Sequence, residues 1–223
     1  MEKKAVFCII GKSGVGKTTY FDNLMRHIKE DSELDDWNIG PLVYHTTRSI
    51  RENEDPNAYV FDSYDDYEKY KAEGKVLEDR GYQKYDSYVV YYTLYDDFNS
   101  DYDAYICTAS VDQLLSYINN DKLEVYIINI EVPTKPRLTR LLKRCNTDDE
   151  CYEVCRRALE EDNEYSGLKQ LPNDKYGDTY KSNKLDILNY REDEALNTRY
   201  ILDNDKMIID FIDKKLRKFY NCL

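Results

Sequence analysis

The sequence predicts an α/β domain: a mainly parallel sheet with helices on both faces. Three observations predict it. The chain opens on a continuous apolar run, Ala5-Val6-Phe7-Cys8-Ile9-Ile10, then a glycine-rich turn, then apolar residues at Phe21, Leu24, Met25 and Ile28. That order is a buried parallel strand followed by a helix packed on a core. Apolar runs at 104–107 and 125–132 each lead into another helical pattern, which repeats the strand–helix alternation. With 223 residues the chain can bury one large core and still carry inserted lobes.

The elements follow in order. An acidic connector ends near Trp37-Asn38-Ile39-Gly40, and a strand is expected at 41–44, running into His45-Thr46-Thr47-Arg48-Ser49-Ile50-Arg51. Residues 52–58 read as a loop and Tyr59-Val60-Phe61 as a short strand. Ser63 caps a helix that Gly74 stops. Val76-Leu77-Glu78 and 88–94 read as two more strands, so 41–95 forms a small β-rich lobe dense in tyrosine. The core resumes at 104–107. The helix after it opens on the capping box Ser110-x-x-Gln113 and buries Val111, Leu114, Leu115 and Ile118. From Pro136 the chain turns helical and rich in arginine, with Arg137, Arg140 and Arg144; a second box, Thr147-x-x-Glu150, starts a helix carrying Arg156 and Arg157. Residues 166–198 read as a polar insertion and Tyr200-Ile201-Leu202 as a last short strand, before a helix that buries Ile209, Ile212, Leu216 and Phe219. The expected division is a core at 1–40, 96–133 and 199–223, the β-rich lobe at 41–95 and a helical lid at 134–165.

The turn after the first strand is Gly11-Lys12-Ser13-Gly14-Val15-Gly16-Lys17-Thr18, with Thr19 behind it. It fits G-x-x-x-x-G-K-[ST] between a strand and a helix, the context that makes this motif a phosphate loop of a P-loop NTPase. Glycines let successive N–H groups point at one phosphate, and the helix adds its positive end. Lys17 would reach the β- and γ-phosphates, and the Thr18 hydroxyl would ligate a phosphate-bound Mg²⁺. These residues predict binding of a nucleoside triphosphate.

Composition narrows the partners. A formal charge of −12 opposes nucleic acid and anionic membranes in bulk, so any anion must meet a local cluster of cations. Small-molecule nucleotides are therefore the expected partners. The one N-terminal apolar run is a strand leading into the phosphate loop, and no stretch has membrane-spanning length, so a cytoplasmic location is expected. The six cysteines are then reduced thiols, Cys8 and Cys107 in core strands. Cys145, Cys151 and Cys155 cluster, but a zinc site would need a fourth ligand and neither His27 nor His45 is nearby in sequence.

With these motifs in order, the sequence resembles the guanylate kinase family over most of its length. Thr46-Thr47-Arg48-Ser49-Ile50-Arg51 looks like that family's T-T-R-x-x-R, Tyr59-Val60-Phe61 like its Y-x-F, and Gly74-Lys75-Val76-Leu77-Glu78 like its G-x-F-L-E. The resemblance implies ATP- and Mg²⁺-dependent phosphorylation of a nucleoside monophosphate, GMP or dGMP foremost. It implies that Arg48, Arg51, Tyr59 and Tyr91 hold the acceptor phosphate, that Glu78 and Thr93 read the base, and that Arg140, Arg144 and Arg156 are lid arginines acting with Lys17 on the transferring group. Tyr200 to Asp205 is similar to the strand and asparagine beside the adenine, which makes Asn204 an ATP-binding candidate.

Three departures stand out. Tyr44 replaces a serine. Tyr88-Val89-Val90-Tyr91-Tyr92-Thr93 lacks the glycines of G-N-Y-Y-G-[ST], and Ile106-Cys107-Thr108-Ala109-Ser110 lacks the carboxylates of a D-x-D strand end. Two other readings follow from them: a related kinase for another (deoxy)nucleotide or a sugar phosphate, and a non-catalytic binding module of the same fold.

Overall fold

The computed structural model describes residues 3–30, 34–52, 54–84, 87–98, 101–171, 175–190 and 197–221; Cys222 lies outside them. The chain begins with β1 (Lys4–Ile10), α1 (Lys17–Glu30) and β2 (Ile39–Pro41). The lobe follows as β3 (His45–Thr46), β4 (Val60–Phe61), α2 (Tyr64–Ala72), β5 (Val76–Lys84) and β6 (Ser87–Leu94). The core returns with β7 (Ala104–Thr108), α3 (Val111–Asn119) and β8 (Leu123–Glu131). Then come α4 (Thr134–Leu142), α5 (Asp148–Leu168), α6 (Lys175–Ser182), β9 (Lys184–Leu188) and α7 (Asn197–Asn221).

Five parallel strands form the main sheet in the order β2-β7-β1-β8-β9. Residues 5–10 of β1 have no exposed surface, as a central strand covered on both faces requires. On one face Phe7, Ile9, Ile106 and Ile128 pack against Leu24 of α1 and Ile208, Ile212 and Leu216 of α7. On the other, Val6, Cys8, Ile127 and Leu114 pack with Leu168 and Tyr180 from α5 and α6. Cys8 and Cys107 are register partners on β1 and β7 and stay free thiols, Sγ to Sγ 3.8 Å. The expected box at α3 is present, Ser110 with Gln113, and the Ser63 cap of α2 is also a full box, closed by Asp66. At α5 only half of the box forms. Thr147 caps the Glu150 N–H, while the Glu150 carboxylate takes the N–H of Asn146 instead.

The C-terminal third corrects two expectations. The last strand of the sheet is β9, inside the polar stretch at 166–198, and residues 200–202 belong to α7. β9 is an edge strand in which only Ile187 is fully buried, so Lys184 and Asp186 can occupy it and the apolar signal is weak. The strand expected at 41–44 is also divided. β2 stays in the main sheet, and the chain bends before β3 to enter the lobe. Among the described residues, no helix is long and apolar enough to cross a membrane.

The lobe's sheet has the order β4-β3-β6-β5, and His45 pins it together. Its Nδ1 meets Asp62 at 2.5 Å and its Nε2 meets Asp97 at 3.2 Å. Two carboxylate partners require both ring nitrogens to donate, so the ring is an imidazolium. Burial by itself would lower its pKa, but the bonds to Asp97 and Asp62 outweigh burial and raise it. A raised folded value stabilises fully below the unfolded value of about 6.5 and is lost as pH rises through the folded value. The melting temperature is therefore expected to fall as pH climbs from about 6.5. His45→Gln should flatten that slope in a melting series across pH; an unchanged slope would show that His45 is not its source.

Candidate functional site

The phosphate loop connects β1 to α1 in a conformation that only glycine takes readily. Gly11, Gly14 and Gly16 have φ of 145°, 83° and 100°. A Cβ on Gly11 would sit 2.5 Å from the Ile130 carbonyl oxygen, and one on Gly16 would sit 2.9 Å from Asn189 Nδ2. Lys17 lies along the loop, with Nζ 2.5 Å from the Gly11 carbonyl. Burial lowers its pKa, Glu161 acts to raise it, and Arg157 and Arg137 lower it further. Thr18 and Thr19 are exposed on the first turn of α1. The curled backbone, the lysine and the open Thr18 hydroxyl together fit a phosphate chain with its Mg²⁺. Among the described residues, no group of three or more His, Cys, Asp and Glu side chains is placed to hold a metal by itself.

Helices α4 and α5 roof the loop. Arg137 of α4 is only 1% exposed and reaches the Ser13 carbonyl at 3.4 Å. Arg157 of α5 donates to Ser13 Oγ at 3.1 Å. Of the expected lid arginines, Arg140 approaches the loop through Asn189, whose carbonyl lies 3.4 Å from its NH2. Arg144 is exposed in the turn after α4, and Arg156 is exposed and paired with Glu153 and Glu160 on the outer face of α5. The arginines at the loop are thus Arg137 and Arg157. Arg156 and Arg157 are adjacent in sequence but 100° apart around a helix, so only one of them can face inward.

A second correction concerns the asparagine. Asn204 is buried in α7, 3% exposed, and donates to the Tyr20 hydroxyl at 2.8 Å, which makes it an interior contact. Asn189, directly after β9, donates from Nδ2 to the Val15 carbonyl at 2.7 Å and from its backbone to Glu131 at 2.8 Å. The pattern Leu185-Asp186-Ile187-Leu188-Asn189 was the available signal, a short strand ending in asparagine. A cavity of about 300 Å³ lies against the loop, lined by Val15, Arg137, Tyr165, Tyr180 and Leu188 among others.

The β-rich lobe assembles a second cluster. Thr46 and Thr47 hold the backbone of Val90: Thr46 Oγ1 donates to its carbonyl at 3.1 Å, and its N–H donates to Thr47 Oγ1 at 2.9 Å. This fixes β6 beside the following Arg48. The Arg48 guanidinium then donates to the Tyr91 hydroxyl at 2.9 Å, lies 4.9 Å from the Tyr59 ring centre and makes a bidentate pair with Glu54. That pair holds the Glu54 carboxyl down at about 2. Arg51 is exposed, and its backbone N–H binds Glu54 at 3.0 Å. Arg48, Tyr59 and Tyr91 therefore converge, while Arg51 lies at their rim.

Glu78 and Thr93 form the other end of the lobe. Thr93 Oγ1 donates to Glu78 Oε1 at 2.6 Å and meets the Tyr117 hydroxyl at 3.0 Å. Gln113 Nε2 donates to the same Oε1 at 3.0 Å, with its Oε1 held by the Ser110 N–H of the capping box. Burial raises the Glu78 pKa, against the pull of these two bonds. Tyr44, standing where the resemblance has a serine, donates to the Thr108 carbonyl at 2.8 Å. The lobe and the lid meet where Arg80 of β5 pairs with Glu164 of α5 at 3.7 Å.

A glycine loop between the first strand and helix of a parallel sheet, under a helical roof and beside an inserted β-rich lobe, defines a P-loop α/β fold. The fold is guanylate-kinase-like. It is similar to the crystal structure of guanylate kinase from Anaplasma phagocytophilum, with a TM-score of 0.56 and 13% identity, over 97% of this chain and 88% of that one. No family profile and no curated protein matches the sequence.

Proposed function

We propose that this chain transfers the γ-phosphoryl group of Mg-ATP to a nucleoside monophosphate by in-line displacement, with GMP or dGMP the leading acceptor. The observation that carries the reading is the pairing of two sites. A phosphate loop holding Lys17 lies under the same α5 helix that meets a lobe presenting Arg48 with Tyr91, and Glu78 with Thr93. In this reading Arg48, with the Tyr59 and Tyr91 phenols, orients the acceptor phosphate, and Glu78 accepts from N–H donors on the base edge. Lys17, Arg137 and Arg157 neutralise charge on the transferring group, so no protein nucleophile is needed. Mg²⁺ ligated by Thr18 would shield the donor phosphates. ADP release on adding each monophosphate to protein and Mg-ATP tests it. Turnover on GMP or dGMP is the expected result, and no turnover on any monophosphate would refute it.

The bare strand end at Thr108-Ala109-Ser110 favours a second reading, a related kinase whose acceptor is a different nucleotide. Ser110 there is committed to capping α3, so it does not replace the carboxylate.

Glu78 must be ionised to accept N–H bonds, so kcat/KM for the acceptor should fall on the acid side at a pH above that of an ordinary glutamate. Gln113→Glu keeps the capping box but exchanges a donor for a second carboxylate against Glu78. The acid limb is expected to move up by about one pH unit or more. An unmoved limb in the pH profile would show that Glu78 does not govern acceptor capture.

A further inference from the structure

Two carboxylates of α5 already lie on the phosphate loop. Glu161 Oε2 accepts the Ser13 N–H at 2.9 Å, and Oε1 accepts the Ser13 hydroxyl. Asp162 takes Lys12 Nζ at 2.5 Å, and the Tyr165 hydroxyl accepts the Gly11 N–H at 2.8 Å. Buried Arg137 sits between the two acids, 3.4 Å from each. Residues 161, 162 and 165 share one helix face, while Glu153 and Glu160 on another face pair with Arg156. The contact is therefore directional. A backbone N–H and a hydroxyl of a phosphate loop are donors suited to phosphate oxygens, and here they hold a carboxylate of the same chain.

We infer that Glu161 is an internal competitor that sets the affinity of the donor site: a phosphate ligand must displace its carboxylate from Ser13 to occupy the loop. The inference rests on the donor-site reading above and extends it. Lys12 is held by Asp162, Arg137 lies between the two acids, Glu161 acts on Lys17, and Arg157 reaches the Ser13 hydroxyl beside them. Displacing the two carboxylates leaves Lys12, Lys17 and Arg137 on the loop side to meet the charge of a triphosphate. The penalty is the same for every ligand that takes the position. Weak anions such as inorganic phosphate then fall below useful occupancy, while a triphosphate with its many contacts still binds. In the absence of donor the same bonds hold the lid helix down on the loop.

Calorimetric titration of the full chain with AMP-PNP plus Mg²⁺, and separately with pyrophosphate, tests this. Glu161→Gln keeps an oxygen for Ser13 but removes the charge, and is expected to tighten both ligands about tenfold. Because Arg137 is buried beside Glu161, thermal melting should first show that the variant folds. Glu161→Asp is the second variant. It keeps a carboxylate on the Arg137 side but is one methylene too short to hold both Ser13 donors, leaves every loop residue in place, and is expected to tighten pyrophosphate about threefold. Unchanged or weaker binding in folded variants, with wild type binding normally, would overturn the competitor role alone. Absence of binding in wild type and variants alike would overturn the donor-site reading with it.

Discussion

Lys17→Ala is expected to reduce ADP release by about 100- to 1000-fold, the cost of removing one preorganised charge aimed at a developing anion. The lysine Nζ rests 2.5 Å from the Gly11 carbonyl, along the curl of the loop. Burial that lowers its pKa also makes its charge act at low local dielectric. The fold should survive, since Nζ bonds only loop carbonyls and the packing of α1 rests on Tyr20 and Leu24. Circular dichroism and melting temperature should therefore match wild type while turnover disappears. Retained turnover would mean that the loop is not the donor site. A non-catalytic binding module, by contrast, would keep its partner in this variant.

Arg48→Ala is the second large effect, with an expected loss of about 100-fold or more in kcat/KM for the acceptor. Its guanidinium is tied to Tyr91 and Glu54 and flanked by Tyr59, so a phosphate there meets a fixed charge and not a mobile side chain. Removing it also strips Glu54 of its guanidinium partner, leaving a carboxylate held by the Arg51 N–H to repel the acceptor's own charge. Donor binding should be unaffected, because the loop is held by α4 and α5 and not by the lobe. Equal losses in donor affinity and acceptor capture would contradict that separation; they would point to a structural role for Arg48.

Much of this was legible in the sequence, for local reasons. A phosphate loop is contiguous, so its residues and its flanking strand and helix read directly. The same holds for Ser110 with Gln113, where partners are three residues apart, and for the Ser63 cap. What escaped depends on distance or phase. Asn189 follows an edge strand that is half solvent, and the more apolar Tyr200-Ile201-Leu202 drew the strand assignment to what is helix. Arg157 and not Arg156 faces the loop, a choice settled by how α5 docks. Nothing local marks Glu161 and Asp162, because their partners, Ser13 and Lys12, lie some 150 residues away. The link from Gln113 to Glu78 joins a helix cap to a strand of another lobe, and nothing in either segment announces the other.

The most direct test is to incubate this chain with Mg-ATP and each common ribo- and deoxynucleoside monophosphate, and to measure ADP release. The account predicts turnover on GMP or dGMP that Lys17→Ala, Arg48→Ala and Glu78→Gln each abolish. Turnover confined to another monophosphate would contradict the guanine assignment, and no turnover on any of them, although ATP binds, would contradict the kinase itself.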